Sequence, residues 1–270
     1  MKETLTRLLS GIVYIILLIV AISFSYNTFL LLFGLFMTIC VAEFCILARI
    51  PRRVPVLVAA AIYAFFAIYK LAEPALSIVN FTLLGIALGV MIMCFRFLFT
   101  QRPYIPTAAR AVYLLGYIII PFILICRIPV TGNGYEPKII IAIFILIWTN
   151  DTFAYIVGKS IGRTKLFERI SPKKTVEGFA GGMAFTVIAS IAISLYYVET
   201  SMLIWILTAV IVSVFGTVGD LVESKFKRIA GAKDSGTIMP GHGGILDRMD
   251  SVIFVAPVIF LLYQIVYYVS

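Results

Sequence analysis

Asp220 and Glu223 stand three residues apart, and so do Asp247 and Asp250. On a helix that spacing puts both carboxylates of a pair on one face, and the connection from Ser224 to Leu246 is long enough to fold the two pairs together. Clustered carboxylates repel one another unless a cation joins them. Hard divalent cations such as Mg2+ bind carboxylate oxygens and keep positions open for water and phosphate. The same segment carries Lys225, Lys227, Arg228, Lys233 and Arg248, the acid Asp234, the chain's one histidine, His242, and the turn from Pro240 through Gly241, His242 and Gly243 to Gly244. Glycine-rich backbone lets N–H groups approach an anion closely. Acids for metal, beside bases and a turn for phosphate, describe phosphoryl or nucleotidyl transfer, in which the protein positions reactants and neutralises charge. His242 suits either a catalytic proton or phosphate contact or a local hydrogen bond within the turn.

A second polar stretch, GKSIGRTKLFERISPKKTVEGFAGG, contributes Lys159, Ser171, Lys173, Lys174 and Thr175. Ser171 followed by Pro172 reads as a cap and first turn of a helix, which puts Lys173, Lys174 and Thr175 near a helix N-terminus, a natural anion site. Its GKxxGR spacing is not a Walker loop, which needs GxxxxGK and then Ser or Thr. Just upstream, Asn150 and Asp151 interrupt an apolar run. A charge inside a membrane span is costly and marks function, and Asp151 is expected about 18 Å from the outer end of its span. Glu43, close to Arg49, reads as an ordinary helix contact.

These groups must be positioned by helices in a bilayer. The 270 residues are 62% hydrophobic and 13% charged, with mean hydropathy +1.08, whereas soluble domains are about 25% charged. Apolar runs near the roughly 20 residues a spanning helix needs recur along the chain, without the alternation of a barrel. An all-α, polytopic membrane bundle follows, with about nine spans: 8 to 25, 28 to 48, 54 to 72, 75 to 98, 108 to 126, 139 to 158, 176 to 198, 201 to 222 and 247 to 269. The first reads as a retained helix rather than a cleaved signal. With the N-terminus in the cytoplasm, every basic residue but Lys70, Arg127 and Lys138 falls on inner segments, including Lys2, Arg102 and the two polar stretches. This obeys the positive-inside rule. A net charge of +9 concentrated there attracts anionic headgroups and polyphosphates.

All five aspartates lie beyond residue 137. The chain therefore reads as one continuous membrane domain with two parts: five plain spans over 1–137, and a catalytic half over 138–270 with four spans and two cytoplasmic loops. Cys40, Cys45, Cys94 and Cys126 are scattered through apolar runs and suggest neither a zinc site nor disulfides.

Together these residues resemble the phosphatidate cytidylyltransferase, or CDP-diacylglycerol synthase, family. The family's signature falls in order on Ser224, Lys227, Arg228, Lys233, Asp234, Pro240 to Gly244, Asp247, Arg248 and Asp250, with Met239 at a position usually Leu, Ile or Phe. NDTFAYIVGKSIGR and SPKKTVEGFAGG also look like family blocks. The resemblance is specific over roughly 148–256; the front half is similar only as a set of spans. It implies a nucleotidyltransferase in phospholipid biosynthesis that joins CTP, or dCTP, to phosphatidic acid and releases pyrophosphate. A divalent cation is required, Mg2+ or alternatively Mn2+, with a second cation plausible. Asp220, Asp247 and Asp250 are expected on the metal. Lys173, Lys174, Lys227, Arg228 and Arg248 are expected on phosphates, with Asp151 completing the site. Asn150, Lys159, Ser171, Thr175, Glu223, Ser224, Lys233, Asp234, Gly241, Gly243 and Gly244 complete the expected substrate contacts, and His242 is grouped with the catalytic residues. Further implications are a site facing the cytoplasm, lipid substrate drawn from the cell membrane, a homodimer and no nucleic-acid partner. A cation transporter built on Asp151 and the paired acids is the competing class. Its weakness is that the acids cluster on one face. A lipid phosphotransferase of another kind is the nearer competitor, and the CDP-alcohol transferase pattern is missing.

Overall fold

Backbone groups in hydrocarbon must bond internally, so each apolar run closes on itself as helix. The computed structural model describes residues 2–68, 75–101, 104–132, 134–198 and 200–269. Its helices are α1 (Lys2–Phe24), α2 (Tyr26–Leu47), α3 (Arg53–Tyr63), α4 (Ala75–Phe99), α5 (Thr107–Tyr113), α6 (Ile120–Arg127), α7 (Pro137–Ile161), α8 (Val176–Tyr196), α9 (Met202–Ala230) and α10 (Leu246–Val269). A π-helical stretch, Leu114–Ile119, joins α5 to α6 in one path just before Pro121, whose missing N–H breaks the regular ladder.

Among the described residues, eight helical segments are long and apolar enough to cross a membrane. The chain is a polytopic helical membrane protein. The third expected span, 54 to 72, is the exception: α3 and its π-helical continuation Ala64–Ile68 form a shorter apolar helix. Residues 69–74, including Lys70, lie outside the described residues, as does Arg102.

The most consequential boundary is that of α9. Hydropathy alone ends this span at 222, yet the helix continues to Ala230, where Gly231 in the left-handed conformation (φ 74°) closes it. Asp220 through Arg228 thus share one rigid helix. Two short antiparallel ribbons interrupt the helical plan, β1 (Val130–Thr131) with β2 (Gly134–Tyr135), and β3 (Lys165–Phe167) with β4 (Ser171–Thr175). Ser171 and Pro172 therefore lie in β4 rather than in a helical first turn. The cap of α8 is Thr175, whose side chain accepts from Gly178 N at 3.1 Å. Glu177 ties the end of α7 to α8 by accepting from the backbone N–H groups of Arg163 (3.0 Å) and Thr164 (3.1 Å).

The helices α7 to α10 pack on one another, and a continuous apolar core joins them to the front half. Phe226 of α9 shows how: its ring lies 5.2 Å from Phe44 of α2, 5.1 Å from Phe97 of α4 and 5.3 Å from Tyr113 of α5. Such ring pairs add packing energy where lipid supplies no hydrophobic drive between helices. Helix α1 is the most peripheral, with Leu8, Val13, Ile16 and Val20 exposed on its outer face. Its inner face does more, as the site shows.

Candidate active site

Helices α9 and α10 approach most closely at Gly219, where an added Cβ would lie 2.6 Å from the carbonyl oxygen of Asp250. A side chain there would force the helices apart. The absence of one sets Asp220 and Glu223 of α9 beside Asp250 of α10, with a carboxylate oxygen from each gathered within 4.8 Å. Asp250 and Glu223 are buried. The partner of Glu223 is the ammonium of Lys227 at 2.5 Å. Asp220 is paired with Lys174 at 2.5 Å and accepts weakly from Ser224 Oγ at 3.3 Å. Asp250 accepts from Ser251 N at 2.8 Å.

Asp247 behaves differently. Lys227 Nζ donates to its Oδ1 at 2.7 Å, and Oδ2 accepts from Gly244 N (2.7 Å), Ser235 N (2.9 Å) and Ser235 Oγ (2.9 Å). Of the expected metal set of Asp220, Asp247 and Asp250, the structure gathers Asp220 and Asp250 with Glu223, while the oxygens of Asp247 accept from the glycine turn and from Lys227. The turn itself needs glycine. Gly243 has φ 84°, and a Cβ there would lie 3.2 Å from Asp234 Cβ and 3.3 Å from Asp247 Cγ.

Two residues from the front half hold this turn, and neither stands out in the sequence. Glu43 of α2 is buried and accepts from Ile245 N (3.2 Å) and Leu246 N (2.8 Å), with Ser235 Oγ at 3.3 Å. A carboxylate at the start of α10 meets unpaired N–H groups and the positive end of the helix dipole. The expectation of an ordinary contact with Arg49 is thus overturned; a lone intramembrane acid was the available signal. Ser10 of α1 lies 2.8 Å from His242 Nδ1 and donates to Pro240 O at 3.0 Å. His242 thus anchors the turn through Nδ1 and also lines a cavity shared with Asp151 and Asp250. Desolvation first, then the positive charges of Arg248 and Arg7, push its pKa below the ordinary imidazole range.

Of the remaining expected residues, Asp151 opens into a cavity of about 220 Å³ together with Asp247, Arg248, Asp250 and His242, against an apolar wall that includes Gly11, Phe144 and Trp148. Asn150 is buried and donates to Asp151 Oδ1 at 3.4 Å. The alternation of β4 separates the lysine pair: Lys174 turns to Asp220, while Lys173 is exposed. Lys159 is exposed at the end of α7, over the Tyr155 ring. Lys233 and Asp234 are exposed on the loop after α9. Arg228 is not brought to the acids. It lies on another face of α9 with Lys225, whose ammonium donates to Thr100 O at 2.7 Å and to Phe97 O.

Carboxylates that outnumber their lysines, beside a cavity with one apolar wall, suit a cation and a phosphate ester carrying a hydrocarbon tail. The model of the cytidylyltransferase family matches residues 5–266. This chain belongs to the cytidylyltransferase family. The match includes the front half, which its sequence reading left as generic spans. A protein named phosphatidate cytidylyltransferase from Staphylococcus aureus (strain COL) is 43% identical over 179 residues, covering 66% of this chain and 67% of that one. Proteins of the same name from Staphylococcus haemolyticus and Staphylococcus epidermidis are 41% and 40% identical over the same length and shares.

Proposed function

We propose that this cytidylyltransferase joins CTP to phosphatidic acid, forming CDP-diacylglycerol and pyrophosphate. The observation that carries the reading is the cluster of Asp220, Glu223 and Asp250, flanked by Lys174 and Lys227, whose Asp250 also lines a cavity with an apolar wall. An ionised phosphate oxygen of the lipid attacks the α-phosphorus of CTP. One P–O bond forms, the bond to the β-phosphate oxygen breaks, and its electron pair leaves with pyrophosphate. The nucleophile is already an anion, so no protein base is required.

The cluster fits a hard divalent cation. All its donors are carboxylate oxygens, and three acids gather where only Lys174 and Lys227 oppose their charge. Held by Asp220, Glu223 and Asp250, Mg2+ or Mn2+ would supply Lewis-acid neutralisation of charge on the reacting phosphate. Lys174, on Asp220, keeps further N–H donors for phosphate, and so does Arg248, which lines the cavity. Asp247, Ser235 and Glu43 fix the turn from which these groups are presented. The apolar wall from α1 and α7 lets the acyl chains stay in lipid while the headgroup enters. The positive-inside count supports a cytoplasmic site. A homodimer completes the proposal and is tested by cross-linking in membranes.

The decisive assay supplies purified protein with labelled CTP, phosphatidic acid and Mg2+, with dCTP and Mn2+ as substitutions. CDP-diacylglycerol is the expected product. Absence of product with every divalent cation overturns the reading, and cation uptake into liposomes without CTP would favour a transporter.

A further inference from the structure

The cytoplasmic end of α9 has two chemically opposite faces. Asp220, Glu223, Ser224 and Lys227 recur at helical spacing on one. Lys225 and Arg228, three apart, share another and open into a cleft of about 580 Å³ completed by Thr100, Gln101, Arg169 and Ile170. Among the described residues, three cations and no acid line it; Glu168, next in sequence to Arg169, does not reach the lining.

The donors in the cleft are unevenly used. Lys225 is buried and spends its ammonium on the carbonyls of Phe97, Leu98 and Thr100 and on the Thr100 hydroxyl. Its charge is met by carbonyl dipoles and by the face of the Phe97 ring at 4.3 Å. Arg169 commits one guanidinium nitrogen to Leu98 O (2.9 Å) and Thr100 O (3.3 Å). Among the described residues, Arg228 has no ion pair. Positive charges that only set topology need to remain solvated on the inner surface. That does not account for a buried lysine or for two guanidinium groups facing one cleft.

We propose that this cleft is a second anion site, for a phosphomonoester or diphosphate group, on the far side of α9 from the acid cluster. Guanidinium forks match phosphate oxygens two at a time, and the volume lies within the range of small-ligand sites, about 300–1,000 Å³. The ligand is either a free phosphate compound or the headgroup of an anionic lipid. The site stands independently of the proposed reaction.

The test uses the full chain in phosphatidylcholine nanodiscs with EDTA, so that the acid cluster, lacking a cation, repels anions. Inorganic pyrophosphate titrated by calorimetry is expected to bind saturably. Arg228→Gln should weaken this about tenfold or more, the scale of a lost charged hydrogen bond. Arg169→Gln should also weaken it, whereas Arg228→Lys should keep part of it. Asp250→Asn should bind pyrophosphate as the unaltered chain does, with melting curves confirming that each variant is folded. Phosphatidate added to the nanodiscs competes with pyrophosphate if the natural ligand is a headgroup and leaves its binding unchanged if the ligand is soluble. No binding in EDTA, or equal binding by Arg228→Gln, Arg169→Gln and the unaltered chain, overturns the proposal.

Discussion

Two groups of carboxylates lie side by side and are treated in opposite ways. In the acid cluster, Glu223 is met by the ammonium of Lys227, and Asp220 and Asp250 lean on few donors. In the adjoining turn, Asp247 and Glu43 take donors from Lys227, Ser235, Gly244, Ile245 and Leu246. Burying a carboxylate without partners is costly. Asp247 and Glu43 draw on backbone N–H groups, whereas Asp220 and Glu223 are met mainly by lysine ammonium groups. The group tied by backbone donors fixes the turn, and the group met by lysines is the one proposed to take the cation.

The largest expected effect comes from the acid cluster. Asp250→Asn or Asp220→Asn should lower turnover by on the order of 10³-fold or more while the protein still folds. A near-normal rate in the CTP assay would erase the distinction between the two groups. Glu223→Gln should lower turnover by roughly 10²-fold and raise the melting temperature in EDTA, because a buried charge is removed while Lys227 keeps Asp247. A lower melting temperature would place Glu223 with the group that fixes the turn.

In the turn the emphasis reverses. Asp247→Asn should cost about 2–4 kcal/mol of stability, with or without divalent cation, since it leaves Lys227 and several N–H groups short of their acceptor. If it alters only the cation dependence of turnover, Asp247 belongs with the metal set after all. Glu43→Gln should cost about 1–2 kcal/mol, the loss of charge at the start of α10, and thermal melting compared with Glu43→Asp would measure it.

The smallest effect concerns pH. His242 has a folded-state pKa below its unfolded value, so the unfolded chain binds more protons as pH falls through about 6.5. Its contribution is present above that pH and is lost on acidification. Melting temperature should therefore fall between pH 7.5 and 5.5 by less in His242→Gln than in the unaltered chain; equal falls would refute the link.

Hydropathy was enough to determine a polytopic helical protein, because crossing a bilayer imposes length and composition locally. The spacing of the acids and the signature from Ser224 to Asp250 likewise exposed the family's chemistry. Which acids meet was decided only in three dimensions. Asp247 and Glu223 look equivalent as members of pairs three apart, yet the close approach at Gly219 joins Glu223 to Asp250, and the turn claims Asp247. Glu43 and Ser10 were invisible as parts of the site because their partners lie some 200 residues away. The length of α9 beyond its apolar run, and with it the separation of Arg228 from Lys227, was likewise hidden: composition reports where a helix leaves lipid, whereas packing and the Gly231 cap decide where it ends.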